Sequence, residues 1–194
     1  MRPVIFPLAI LLAAAPGIAQ TYTYQFAGTI NTIVLNENNA IPGVYLNQSF
    51  SGWFSYNSDS QTTEIGAIAF TLGEFESAVI DDCCLATVLN NPAPPTSQSN
   101  YDLFSALFYD IQDDYEFWRT GITLKDSTCT AFDSDQLPTD LILSMFSVAR
   151  LDISGSKGED DFNISGRITS LTQIPEPASL LILLSGTLCL RRKM

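Results

Sequence analysis

Carboxylates are the side chains of this sequence whose grouping could do chemistry. They gather at Asp110, Asp113, Asp114 and Glu116, at Asp133 and Asp135, and at Glu159, Asp160 and Asp161, each group in a segment that reads as a turn. Calcium takes about six to eight hard oxygen ligands, and acids clustered at loop ends can supply them, which makes Asp110, Asp113 and Asp114 candidate calcium ligands. EF-hand spacing is missing, because Asp133-Ser134-Asp135 is continued by neither a third ligand nor the glycine. A solvated acidic rim accounts for the same residues, so the chain is expected to need no cofactor, with calcium as the alternative. Paired carboxylates about 5–9.5 Å apart would suit a glycosidase, but among so many acids no pair stands out. Histidine is absent altogether. Ser-His-Asp and Cys-His catalysis, and the metal and haem sites that lean on imidazole, therefore cannot be built, and no catalytic activity is expected.

Two tryptophans are candidates for binding. In the segment around Trp53, Phe50, Gly52, Phe54 and Tyr56 fall on one face of a strand, and Ser51, Trp53 and Ser55 on the other. An indole among hydroxyls is a platform on which a sugar ring can stack. Trp118, between Phe117 and Arg119, is a second candidate, with Arg119 stacked on a ring. Cover by a loop or by the opposite sheet is the alternative for both. Of the cysteines, Cys83, Cys84 and Cys129 precede the C-terminal apolar run and Cys189 lies in it. A bond between adjacent cysteines closes a strained ring, so the expected disulfide joins Cys129 to Cys83 or Cys84 and leaves one thiol over. The spacing of the three does not suit zinc.

These residues sit on short segments that alternate with period two. Tyr22, Tyr24, Phe26, Gly28 and Ile30 share one face, as do Phe162, Ile164, Gly166 and Ile168. Further strands are expected over 48–56, 64–72, 86–89, 102–111, 115–120, 122–125 and 141–153, with breaks at 36–43, 57–62, 90–100 and 154–161. The Asn- and Pro-rich run 90–100 reads as a long surface loop, and Leu137-Pro138-Thr139-Asp140 as a turn. No segment between the two ends keeps a helical period for three turns. The expected fold is all-β, an antiparallel β-sandwich with a jelly-roll form left open, occupying residues 20–172. About 155 residues suffice for one core. Across the 194 residues, 9 Lys and Arg face 21 Asp and Glu, a net charge of -12. This argues against nucleic acid and disfavours anionic membrane surfaces as partners, since both are bound through basic side chains.

The ends carry different information. Arg2, the uncharged apolar run Val4 to Ala15, Pro16 and Gly17-Ile18-Ala19 have the order of a secretory signal peptide over residues 1–19, read as a helix. At the other end, residues 173–194 contain Ile174-Pro175-Glu176-Pro177, an apolar helix from Ala178 to Leu190, and the basic stop Arg191-Arg192-Lys193. Thirteen residues at ~1.5 Å reach about 20 Å, short of a hydrocarbon core of about 30 Å. The basic stop would hold the C-terminus in the cytoplasm and leave the domain on the far side, where the signal peptide also directs it.

This tail, about 20 residues from Ile174 to Lys193, resembles the PEP-CTERM sorting signal of Gram-negative, exopolysaccharide-producing bacteria. The resemblance implies that Pro175, Glu176 and Pro177 are the recognition motif, Ala178 to Leu190 a transmembrane helix, and Arg191, Arg192 and Lys193 the stop. It also implies processing by an exosortase, a membrane transpeptidase, during a transient stay at the inner membrane. The released domain would then reside at the cell surface or in extracellular matrix, with exopolysaccharide as a further partner. Ser51-Gly52-Trp53-Phe54-Ser55-Tyr56 likewise resembles the opening of β-sandwich domains carried by such secreted proteins. The expected function is thus a non-enzymatic surface or matrix protein and exosortase substrate; the alternative is a carbohydrate- or calcium-binding β-sandwich module.

Overall fold

Alternating apolar and polar residues become nine strands in a computed structural model that describes residues 21–57, 66–73, 75–80, 84–90, 101–110 and 117–175. The strands are β1 (Thr21–Asn36), β2 (Ser49–Asn57), β3 (Gly66–Leu72), β4 (Phe75–Ile80), β5 (Cys84–Leu89), β6 (Asp102–Asp110), β7 (Phe117–Asp126), β8 (Val148–Lys157) and β9 (Asp160–Ile174). They form one sheet in the order β4-β3-β2-β1-β9-β8-β7-β6-β5, and every neighbouring pair is antiparallel. Two meanders, β1–β4 and β5–β9, are fused where the first strand pairs with the last.

The sheet is curled so that its two arms face each other across a shared core. Tyr56 of β2 and Phe104 of β6 bring their rings to 5.2 Å, and Phe75 of β4 and Trp118 of β7 to 5.1 Å. The antiparallel all-β expectation is met. In place of two stacked sheets with jelly-roll crossovers, one continuous sheet of two fused meanders curls over itself. Its bend lies on the β1–β9 ladder, which shifts register between Ala27 and Gly28, Ile30 and Thr32, and Ile33 and Leu35. Bulges of this kind bend and twist strands. Most strands bury mainly one face in either arrangement, although Ser55 and Asn57 of β2 and Ala67 of β3 are buried on the outer phase as well, so alternation alone does not separate them.

Several boundaries differ from the expectations. Strand β4 was not anticipated, β7 runs unbroken through Gly121, and the strand expected from Leu141 begins at Val148 and continues to Lys157. The break at 154–161 shrinks to a two-residue hairpin loop in which Gly158 has φ 61°, the left-handed value that the first position of a II′ turn favours in glycine. Gln173 and Ile174, placed in the spacer by sequence, belong to β9.

Loops plug both ends of the curl. At one end Ile41, fully buried, is held by Asn36, whose side chain accepts from the Ile41 N–H at 2.9 Å and donates to its carbonyl at 3.1 Å. At the other, the segment 127–147 inserts Leu141, whose N–H donates to the Tyr24 hydroxyl at 3.1 Å, while the Tyr56 hydroxyl donates to the Pro138 carbonyl at 2.6 Å. Among the described residues no helix is long and apolar enough to cross a membrane. The signal segment 1–19 and the tail from Glu176 onward lie outside the described residues.

Candidate functional site

The inward phase of β2 is fixed by Phe50, Phe54 and Tyr56, all buried, and this sends Trp53 to the outer face. There the register assembles a row in which Gln25 of β1 lies beside Trp53, and Trp53 beside Ala69 of β3. The next row runs Ser51, Thr71, Glu76 across β2, β3 and β4. Directly opposed side chains stand about 5 Å apart and same-face neighbours along one strand about 7 Å apart, so the small Ala69 leaves an open notch against the indole. The result is an open groove of about 570 Å³, lined by Trp53 with Gln25, Ser51, Thr71 and Glu76, and walled by Ile174 at the end of β9. The Ser51 and Thr71 hydroxyls lie 3.5 Å apart, and Thr71 also donates to the Ser51 carbonyl at 3.4 Å. Among the described residues no basic side chain lines the groove, and no aromatic ring packs on Trp53.

Trp118, the other candidate platform, is fully buried. Its ring stacks on Phe75 and tilts against Phe162 at 5.0 Å, and its Nε1 donates to the Thr120 hydroxyl at 2.9 Å. It offers no face to a ligand, and Arg119, on the opposite phase of β7, points away from the core. The expected disulfide from Cys129 is not formed, because Cys129 carries a free thiol. Register supplies the reason. Cys84 lies opposite Phe108, whereas Cys129 follows Asp126, which lies opposite Asp102. Six residues of β6 separate those levels, about 20 Å at ~3.4 Å per residue, and a disulfide needs Cα atoms within about 7 Å. Cys83 lies outside the described residues.

Asp113 and Asp114 also lie outside them, and only the backbone of Asp110 is described, at the end of β6. Among the described residues no group of three or more Cys, Asp or Glu is arranged to hold a metal ion. In each of the other acidic clusters one carboxylate has a structural partner. Asp135 accepts from the Asn90 N–H at 2.8 Å, and Asp160 from the Asn38 side-chain amide at 2.6 Å. Of the sorting motif, Pro175 is exposed directly after β9; Glu176, Pro177, Arg191, Arg192 and Lys193 lie outside the described residues.

Sequence reasoning passed over two buried carboxylates, Asp102 and Asp126, paired across β6 and β7. Asp126 accepts from the Thr128 and Thr130 N–H groups at 2.8 and 2.9 Å and from both hydroxyls. Asp102 accepts from the Ala131 and Phe132 N–H groups, each at 3.0 Å. Together they shape the start of the 127–147 plug. Burial alone would push the Asp126 carboxyl up, but the hydrogen bonds from Thr130 and Thr128 outweigh it and hold its pKa below the ordinary value. Desolvation, and then the Asp102 and Asp126 charges, push the Cys129 thiol up and away from reactivity. Both aspartates could be found from phase alone, since each falls in register with the inward residues of its strand.

No family model, curated protein or solved structure matches this chain.

Proposed function

We propose that the chain is an exported, non-catalytic surface or extracellular-matrix protein that an exosortase sorts through its C-terminal Pro-Glu-Pro signal. On this reading the signal peptide sends the domain across the inner membrane. The short apolar helix holds it there only until cleavage, and the mature product is the β-domain alone, its doubled-over sheet serving as a sandwich-like module. The observation that carries the reading is the order of parts at the C-terminus. Pro175-Glu176-Pro177 is followed by an uncharged apolar run too short for a durable anchor and then by Arg191-Arg192-Lys193. The place where the fold ends supports it. Strand β9 stops at Ile174 and Pro175 is exposed directly after it, so the motif begins where the hydrogen-bonded ladder ends.

The test is the intact mass of the protein recovered from a host with an exosortase and from the same host with that gene deleted. The expected result is loss of the apolar run and basic stop in the first host. In the second, or when Pro175, Glu176 and Pro177 are all replaced by alanine, the tail should be retained in the membrane fraction. Recovery of mature protein that still ends in Arg191-Arg192-Lys193-Met194 from the exosortase-positive host would overturn the proposal.

A further inference from the structure

We infer that the groove around Trp53 is a saccharide-binding site, and that its ligand class is the uncharged hexose units of a neutral polysaccharide. Four observations lead there. First, the indole lies on the outer face of the sheet with the small Ala69 beside it and lines the groove at intermediate exposure. An indole face accepts the C–H side of a pyranose ring. Second, hydroxyls of Ser51 and Thr71, the Gln25 amide and the Glu76 carboxylate surround it. They supply the mixture of donors and acceptors that sugar hydroxyls require. Third, the volume of about 570 Å³ lies within the range of about 300–1,000 Å³ usual for small-molecule sites, while the open shape suits a unit inside a polymer better than an enclosed monosaccharide.

Charge makes the fourth and decides between ligand classes. A uronic acid, sulfate or phosphate group would need a cation, and the groove offers a carboxylate instead. The domain around it is acidic as well, with five basic residues against twenty carboxylates between Gln20 and Ile174, so an anionic polymer is repelled before it arrives. The inference concerns the outer face of β1–β4 and stands independently of how the tail is processed.

The experiment uses the full-length chain in affinity electrophoresis through gels containing dextran, hydroxyethyl cellulose, galactomannan or, as the anionic control, alginate. Tryptophan emission is read in parallel. At least one neutral polymer should retard the wild type, alginate should not, and Trp53→Ala should weaken retardation at least tenfold with an unchanged melting temperature. Ala69→Gln, which fills the notch and leaves the indole in place, should do the same; it keeps the test decisive if Trp53→Ala fails to fold. Binding should shift the emission of Trp53 and leave that of buried Trp118, seen alone in Trp53→Phe, unmoved. Absence of retardation by every neutral polymer, stronger retardation by alginate, or retention of binding in both variants would overturn the inference. So would a rise in acrylamide access to Trp53 in Pro175→Ala/Pro177→Ala, which would make the chain's own tail the occupant. Self-association abolished by Trp53→Ala without any retardation would make it a second copy.

Discussion

Phe50 is buried against two glycines, and adding a methyl group to each should have consequences that differ in kind. The ring lies over Gly166 of β9 and Gly28 of β1, with Phe50 itself 3% exposed. A Cβ on Gly166 would meet only that ring, with Cε1 inside contact distance and Cδ1 and Cζ at 3.1 Å. A Cβ on Gly28 would meet the Phe50 Cζ at 2.5 Å and also the Arg167 carbonyl oxygen, inside contact distance. That carbonyl comes close because the β1–β9 ladder shifts register between Ala27 and Gly28. Forcing a methyl group into a packed core costs about 1–3 kcal/mol. At roughly 2–4 °C per kcal/mol for a domain of this size, Gly166→Ala should lower Tm by about 2–12 °C. Phe50→Leu removes Cε1 and Cζ and so removes most of the clash. In a double-mutant cycle followed by urea denaturation, Gly166→Ala should cost almost nothing in the Phe50→Leu background, a coupling of about 1–3 kcal/mol. Gly28→Ala should keep most of its penalty there, since a backbone carbonyl bonded into a ladder cannot step aside. Equal rescue of both glycine variants, or rescue of neither, would refute this account of the bend.

Asp126→Ala should destabilise the protein by about 2–3 kcal/mol, because the N–H groups of Thr128 and Thr130 lose a charged acceptor. The folded pKa of Asp126 lies below its unfolded value, so its contribution is present above the ordinary aspartate value near 4 and is lost as pH falls through the folded value. Asp126→Asn should flatten that acidic limb of a Tm-against-pH curve. Burial pushes Tyr24 up to about 12, and Tyr56 is raised as well. Stability from Tyr24 should therefore be full below the ordinary tyrosine value near 10 and decline between pH 10 and 12, a decline that Tyr24→Phe weakens in the same melts. Trp118→Ala should cost about 3–5 kcal/mol by denaturant unfolding, whereas Trp53→Ala should change stability by less than about 1 kcal/mol.

Legibility followed strand phase. Trp53 could be placed on the outer face because Phe50, Phe54 and Tyr56 set the phase of β2 without interruption. Burial of Trp118, the alternative to its role as a platform, is what the structure shows, but the break expected at Gly121 hides the strand phase that places it in the core. Read as one strand, Trp118, Thr120, Ile122, Leu124 and Asp126 share a single buried phase, and the indole falls into the core with them. The same phase marks Asp126, and the series Asp102, Phe104, Ala106, Phe108 marks Asp102. An ionised carboxylate on an inward phase has to be met by donors, which in this chain are the first turns of the long plug. Strand β4 had no such signature. Phe75-Glu76-Ser77-Ala78-Val79-Ile80 places a buried serine between acid and apolar residues, and its pairing with β3 is what makes it a strand. Pairing is also what sets Glu76 at the end of the Ser51–Thr71 row, so the groove could not be read from the Trp53 segment alone.

The curl and the groove are two consequences of one division of labour across the sheet. The inward phase carries the large rings, and glycines are kept where those rings cross the bend, as under Phe50. On the outer face of β1–β3 the same strands carry Gln25, Ala27, Ser51, Ala69 and Thr71, with Trp53 as the one aromatic among them. Trp53 stands outside that core at intermediate exposure, with Gln25 and Ala69 beside it in the row. Packing therefore explains Trp118, whose replacement should unfold the sheet, but does not explain Trp53. A ring of intermediate exposure beside a notch, with hydroxyls on one side and a carboxylate beyond them, is the arrangement on which the inferred saccharide site rests.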